Sequence, residues 1–212
     1  NVTADSHNKI TLSIDTTENV NLSNMDVRIY YSTGTVNTSS SHIDITSLSS
    51  FTFTKQITGL SRNTEYNFAV QSISTVSYRS NSELSNTATA STLKQPLSTP
   101  SFSFKSRGLN SIKINVSNKN GSNSNQVRVS INRSTGTDGQ YRESTHSYGN
   151  INLTKECIPN SNSTSNLQRD QIYYIRVYAI PSDSDFKRSS WSGYKTKSTK
   201  VVATTPSISL NN

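Results

Sequence analysis

Residues 60–73 read LSRNTEYNFAVQSI, and residues 167–180 read LQRDQIYYIRVYAI. Leu60, Tyr66, Phe68, Val70, Ser72 and Ile73 each stand 107 residues before Leu167, Tyr173, Ile175, Val177, Ala179 and Ile180. Six matches at one offset make an internal repeat. After each tyrosine the apolar residues recur at every second position, the period of a strand buried on one face. The offset persists beyond the next loop, where Leu84-Ser85 of SELS lands on Trp191-Ser192 of SSWS. Upstream, KITLSI (9–14) parallels SIKINV (111–116), and VRIYY (27–31) parallels VRVSI (127–131). These offsets are a few residues shorter, as expected when insertions fall in loops.

Composition supports the same architecture. Only 30% of the 212 residues are hydrophobic, which suits two small cores better than one large one. The 41 Ser, 26 Thr and 24 Asn disfavour helices and favour strands joined by polar turns. Cys157 is the one cysteine, so no intrachain disulfide staples either half. No hydrophobic run has the length of a membrane-spanning helix, and NVTADSHNKI at the start lacks the pattern of a signal segment. The chain is expected to be processed or part of something longer.

In each half a leucine precedes a Tyr-x-apolar-x-Val strand by six residues. A polar loop, Ser-x-Leu/Trp-Ser, and a last strand ending ATAST or VVATT follow. This arrangement resembles fibronectin type III modules in tandem, over almost the whole chain. The resemblance implies an all-β fold of two antiparallel immunoglobulin-like sandwiches, over 1–94 and 101–205, joined by a Pro-containing linker at 95–100. It also implies that Tyr66 and Tyr173 are tyrosine corners, whose hydroxyls tie back to nearby backbone. Ile10 and Ile112 lead the second strands, where the family usually has a tryptophan. Although SSWSG matches half of the tryptophan-serine box of cytokine receptors, one cysteine cannot form that family's disulfides.

The linker region STLKQPLSTP carries Pro96 and Pro100, which predict a semi-rigid rod. At the other end TTPSISL (204–210) repeats the form of STPSFSF (98–104), where the second module begins. Residues 206–212 therefore read as the start of a further module. Alternatively, Pro206, Ser207, Ile208, Ser209 and Leu210 form a strand donated to the open first module of a neighbouring subunit, which would build a filament.

Enzymatic constellations are absent from the sequence. His7, His42 and His146 lie in polar stretches without partners at metal-ligand spacing. Asp183 and Asp185 supply too few oxygens for a calcium site. No phosphate cradle, nucleophile elbow or cofactor motif occurs, so a non-enzyme without a cofactor is expected. Sequons for N-glycosylation stand at Asn1, Asn21, Asn37, Asn115, Asn120, Asn132, Asn152 and Asn162, a number that the Asn, Ser and Thr content produces by chance.

Charge separates the halves. Up to residue 95 there are 6 Lys and Arg against 7 Asp and Glu; beyond it there are 15 against 6. Alternation turns Tyr174, Arg176 and Tyr178 outward from the second module's Tyr173 strand, with Arg128 on the same face, forming either a Tyr and Arg surface of the hot-spot type or cations stacked on tyrosines that simply cover a solvated sheet. Phe186, Lys187 and Arg188 in the following loop extend it towards the module tip. The first module has Asn67, Ala69 and Gln71 there instead.

These features predict a non-catalytic structural or adhesive component of an extracellular or virion-surface assembly, working through protein–protein contacts. The abundance of Asn, Ser, Thr, Lys and Ile suggests a microbial or viral source. One alternative is a monomeric module that binds an acidic ligand or glycan through its basic half. Another is an accessory pair of domains in a larger secreted enzyme. Nucleic acid is a weaker partner, because the positive charges are dispersed and no reading motif accompanies them.

Overall fold

The computed structural model describes residues 1–16, 21–135, 144–157 and 164–203, and it divides the chain into two compact units, Asn1–Gln95 and Pro96–Asn212. The sequence-assigned donor strand Pro206–Leu210 and the Asn162 sequon lie outside the described residues.

The first unit contains β1 (Val2–Ser6), β2 (Lys9–Asp15), β3 (Met25–Ser32), β4 (Ser41–Ile45), β5 (Thr52–Thr58), β6 (Glu65–Ser74) and β7 (Ala88–Ser91). They form antiparallel sheets in the orders β1-β2-β5 and β4-β3-β6-β7. A two-residue strand, β8 (Gln95–Pro96), comes next. The second unit contains β9 (Ser101–Arg107), β10 (Ile112–Ser117), β11 (Gln126–Asn132), β12 (Ser144–Ser147), β13 (Gly149–Leu153), β14 (Lys155–Cys157), β15 (Thr164–Asn166), β16 (Ile172–Ile180), β17 (Phe186–Lys187) and β18 (Lys195–Ser198). Its main sheets run β9-β10-β13 and β12-β11-β16-β18, the same order as in the first unit.

Alternation places one core in each unit. Ile10, Leu12 and Ile14 of β2 meet Val27 and Ile29 of β3 and Tyr66 and Phe68 of β6. Ile112, Ile114 and Val116 of β10 meet Val127, Val129 and Ile131 of β11 and Tyr173, Ile175 and Val177 of β16. β-Branched residues supply most of each core and a few aromatic rings, Phe68 and Tyr173 among them, fill the space between the sheets, which is how a chain so poor in apolar residues closes two cores.

The repeated stretch also fixes how each β6-type strand is entered. The Tyr66 hydroxyl accepts a hydrogen bond from the Ser61 N–H at 3.0 Å, and the Tyr173 hydroxyl accepts one from the Gln168 N–H at 2.8 Å. Between these partners Asn63 and Asp170 adopt left-handed backbone, φ 47° and 55°, which Asn and Asp tolerate better than other side chains. A threonine closes each turn from the last strand. Thr92 accepts from the Thr64 N–H and donates to Ser61 O, and Thr199 accepts from the Gln171 N–H and donates to Gln168 O.

Candidate functional site

Among the described residues the units differ at the outer face of the β16 sheet and at the end of the sandwich that carries the turn after β6 or β16, as well as in the β14–β15 pair that only the second unit has.

On the outer face, Arg128 lies directly opposite Tyr178 in the β11–β16 register. Arg188 stacks over the Tyr178 ring at 4.9 Å, while Tyr178 and Trp191 meet edge to face with centroids 4.5 Å apart. Arg176 stacks on Trp191 at 4.1 Å and on Tyr194 at 4.9 Å, and Tyr194 meets Tyr174 edge to face at 6.3 Å. The structure thus joins Arg128, Tyr174, Arg176, Tyr178 and Arg188 into one ladder and adds Trp191 and Tyr194, which alternation along β16 could not reveal.

The ladder corrects part of the sequence expectation. Arg176 is only 8% exposed, because Trp191 and Tyr194 roof it. The Arg176 cation is thus stacked on the protein's own rings, over the sheet. Phe186 does not stand at the loop tip either. It is buried with Leu97 and Ala179 in a small cluster of its own, whereas Lys187 and Arg188 are exposed. Leu97 falls within the linker by sequence, yet its side chain belongs to the second unit's interior.

What brings Trp191 over Arg176 is a serine pair. Ser189 and Ser192 lie in a stretch without regular strand structure, and their hydroxyls accept the β16 N–H groups of Ala179 and Val177, each at 2.9 Å. Their own N–H groups donate to the carbonyls of the same two residues. Ser82 and Ser85 do the same for Ser72 and Val70 in the first unit. There, Leu84 stands in place of Trp191, and the outer face is an amide network in which Gln71 donates to Ser82 O and accepts from the Tyr30 hydroxyl.

At the sandwich end the chain after β6 and the chain after β16 keep the 107-residue offset and make the same turn. Arg79 N–H donates to Val76 O and Phe186 N–H to Asp183 O, both at 3.3 Å. Thr75 and Ser182 N–H groups reach the carbonyls of Asn24 and Asn123 in the preceding loops. Within this shared frame the contents differ. The second unit holds Leu97 and Phe186 against Ala179. In the first unit Ser72 replaces Ala179, Arg79 replaces Phe186, and a cleft of about 420 Å³ opens. Its apolar wall is Met25, Val27 and Val70, and its rim includes Asp15, Arg79 and Glu83. Tyr78 in the adjoining turn is 74% exposed, with Arg79 at 6.0 Å from its ring.

Ion pairs lie elsewhere. Arg28 clasps Asp44 across β3 and β4 with contacts of 2.5 and 2.8 Å, which holds the Asp44 carboxyl below the usual carboxylate range. Arg133 clasps the buried Glu156 in the same two-point manner, and Ser165 donates to that carboxylate. Some of the second unit's positive charge covers apolar surface: Lys195 lies over Phe102 at 4.9 Å and Lys197 over Phe104 at 5.4 Å. Among the described residues no group of three His, Cys, Asp or Glu side chains could hold a metal ion. No helix there is long and apolar enough to cross a membrane.

Of the sequons, Asn132 is 1% exposed and its amide donates to the Ser130 hydroxyl, so the folded unit cannot carry a glycan there. Asn120 uses its amide on both backbone groups of Ser98. Asn115 is half-buried and donates to Asn150, whereas Asn1, Asn21, Asn37 and Asn152 are exposed.

Neither a protein-family model nor a curated protein matches the chain. Among solved structures it resembles the chicken CNTN1 FN1–FN3 domains, over 95% of this chain and 66% of that one, at 13% identity and a TM-score of 0.43. The strand orders and the two tyrosine turns define the architecture by themselves. Each unit is an antiparallel, immunoglobulin-like sandwich of two sheets.

Proposed function

We propose that this protein is a non-catalytic structural or adhesive component of an extracellular or virion-surface assembly, acting through protein–protein contacts. The observation that carries this reading is the first unit's cleft, where Ser72 and Arg79 stand in place of Ala179 and Phe186. An apolar wall with a charged rim, beside an exposed tyrosine, is the composition of a surface that buries a partner's side chain. The contact is expected between copies of the chain, at the first unit.

Light scattering on the purified chain over a range of concentration tests this. Association is expected, with a mass that climbs from 23.4 kDa as concentration rises. A mass constant at the monomer value across the range overturns the reading.

A second reading, recognition of an acidic ligand or glycan by the basic unit, draws support from the charge division and from the exposed Lys187 and Arg188. Retention on a sulfated polysaccharide, weakening steeply with salt, is its signature.

A further inference from the structure

A line of cations follows one side of the second unit, where its two sheets meet. There β9 and β18, the last strands in the orders β13-β10-β9 and β12-β11-β16-β18, run side by side in the same direction. The Lys195 ammonium donates to Phe102 O at 2.6 Å, Arg107 Nη1 donates to the Ser198 hydroxyl at 2.7 Å, and the Lys200 N–H donates to Gly108 O at 2.8 Å. Lys197, between them, lies over the Phe104 ring. Around Arg107 and Lys197 the surface dips into an open depression of about 630 Å³, which Asp170, Ile172, Thr196 and Ser198 also line.

The first unit shows that the fold does not require these cations. Ala4 faces Ile10 as Arg107 faces Ile112, and Ala88 and Ala90 face Phe68 and Tyr66 as Lys195 and Lys197 face Ile175 and Tyr173. Leu93 stands 107 residues before Lys200. In the second unit each β18 lysine lays its stem over a phenylalanine, Lys195 over Phe102 and Lys197 over Phe104, which holds the ammonium in place before any ligand arrives. Two residues apart on an extended strand, they stand about 7 Å apart along it. Arg107 and Lys200, both exposed, continue the line.

Resting on the second reading above, we propose that this seam, and not the turn that carries Lys187 and Arg188, binds an acidic linear polysaccharide. Its charged groups meet Lys195, Lys197, Arg107 and Lys200 in succession, and the sugar hydroxyls between them enter the depression beside Thr196 and Ser198. A row of fixed cations suits a polymer whose anions recur along its length. Nucleic acid fits less well, because Phe102 and Phe104 lie beneath lysines and are not offered to bases for stacking. An acidic protein would be anchored by an apolar pocket, whereas this depression is lined mainly by charged and hydroxyl side chains.

The test is calorimetric titration of a heparin octasaccharide into the full chain and its double variants. Lys195→Ala/Lys197→Ala gives the seam the first unit's residues and should weaken binding by about tenfold or more. Arg107→Gln/Lys200→Gln leaves both phenylalanines covered and should weaken it similarly, so a loss of folding in the alanine variant does not decide the outcome. Lys187→Gln/Arg188→Gln should bind as the unaltered chain does. Affinity should fall steeply with salt, and the desulfated octasaccharide should not bind. Binding lost in the Lys187 and Arg188 variant but kept in both seam variants overturns this site and leaves the second reading standing. A polyglutamate peptide or a single-stranded DNA that binds the seam more tightly than the octasaccharide overturns the assignment to a polysaccharide. If the unaltered chain binds none of the three, the second reading itself falls.

Discussion

The guanidinium of Arg176 sits 4.1 Å from the centre of the Trp191 ring, with the Tyr194 ring 4.9 Å away. Trp191 is the chain's one tryptophan, so its fluorescence reports this contact without interference. Arg176→Ala removes both stacked contacts and the packing of the arginine stem, and should cost about 1–3 kcal/mol. Urea titration followed at the tryptophan should show a lower midpoint with an unchanged slope. Arg176→Lys, which keeps the charge but loses the planar stack, should recover only part of the loss. A full recovery would mean that charge, and not stacking, holds the ladder.

The serine pair predicts an asymmetry between the units. Ser189→Ala strips the acceptor from the Ala179 N–H, a hydrogen bond that is fully buried, and should cost roughly 1–3 kcal/mol. The matching Ser82→Ala frees the Ser72 N–H at an exposed site, where water can replace the hydroxyl. Its cost should stay below about 0.5 kcal/mol. Denaturation of the two variants side by side makes the comparison, and equal losses would contradict it.

Much of this architecture was legible because strands repeat every second residue and two copies confirm each other. Tyr66 with Tyr173, and Leu60 with Leu167, anchor both cores at the offset found in the sequence. Arg176 shows where that legibility ends. Alternation assigns a face but does not reveal what covers it, and the covering residues come from an irregular segment held by Ser189 and Ser192. Leu97 and Phe186 were misplaced for a related reason: a proline-flanked stretch and a charged loop carry no strand period, so nothing local marks either residue as interior. The cleft of the first unit is visible only by difference, from Ser72 and Arg79 standing where Ala179 and Phe186 close the second.

His146 supplies a pH dependence. It lies in β12 opposite Val127, with Nε2 2.7 Å from the Ser144 hydroxyl, and burial pushes its pKa below the ordinary histidine value. As pH falls through that ordinary value, the unfolded chain takes up the proton first, because the folded imidazole resists it. The unfolded state is then favoured, and stability declines from about pH 7 towards pH 5. His146→Gln should flatten the profile in that window. The pairing of Asp44 with Arg28 acts lower, in and below the carboxylate range, so it leaves the histidine window undisturbed. Urea midpoints measured at half-unit pH steps would separate the two effects.

The tyrosine turns give the last expectation. Tyr173 is fully buried and its hydroxyl satisfies the Gln168 N–H, while Tyr66 does the same for Ser61 at a slightly more open position. Phenylalanine keeps the ring packing in each case and removes only the acceptor, so the cost measures the hydrogen bond and the orphaned N–H together, about 1–3 kcal/mol. Tyr173→Phe should lie toward the upper end and Tyr66→Phe toward the lower, because the Tyr66 ring is slightly exposed and the Tyr173 ring is not. Amide hydrogen exchange adds a local test. In Tyr173→Phe the Gln168 amide should lose protection while Val177 and Ala179, whose N–H groups are held by the Ser192 and Ser189 hydroxyls, keep theirs. If exchange quickened equally along all of β16, the hydroxyl would be supporting the whole strand and not the turn that leads into it.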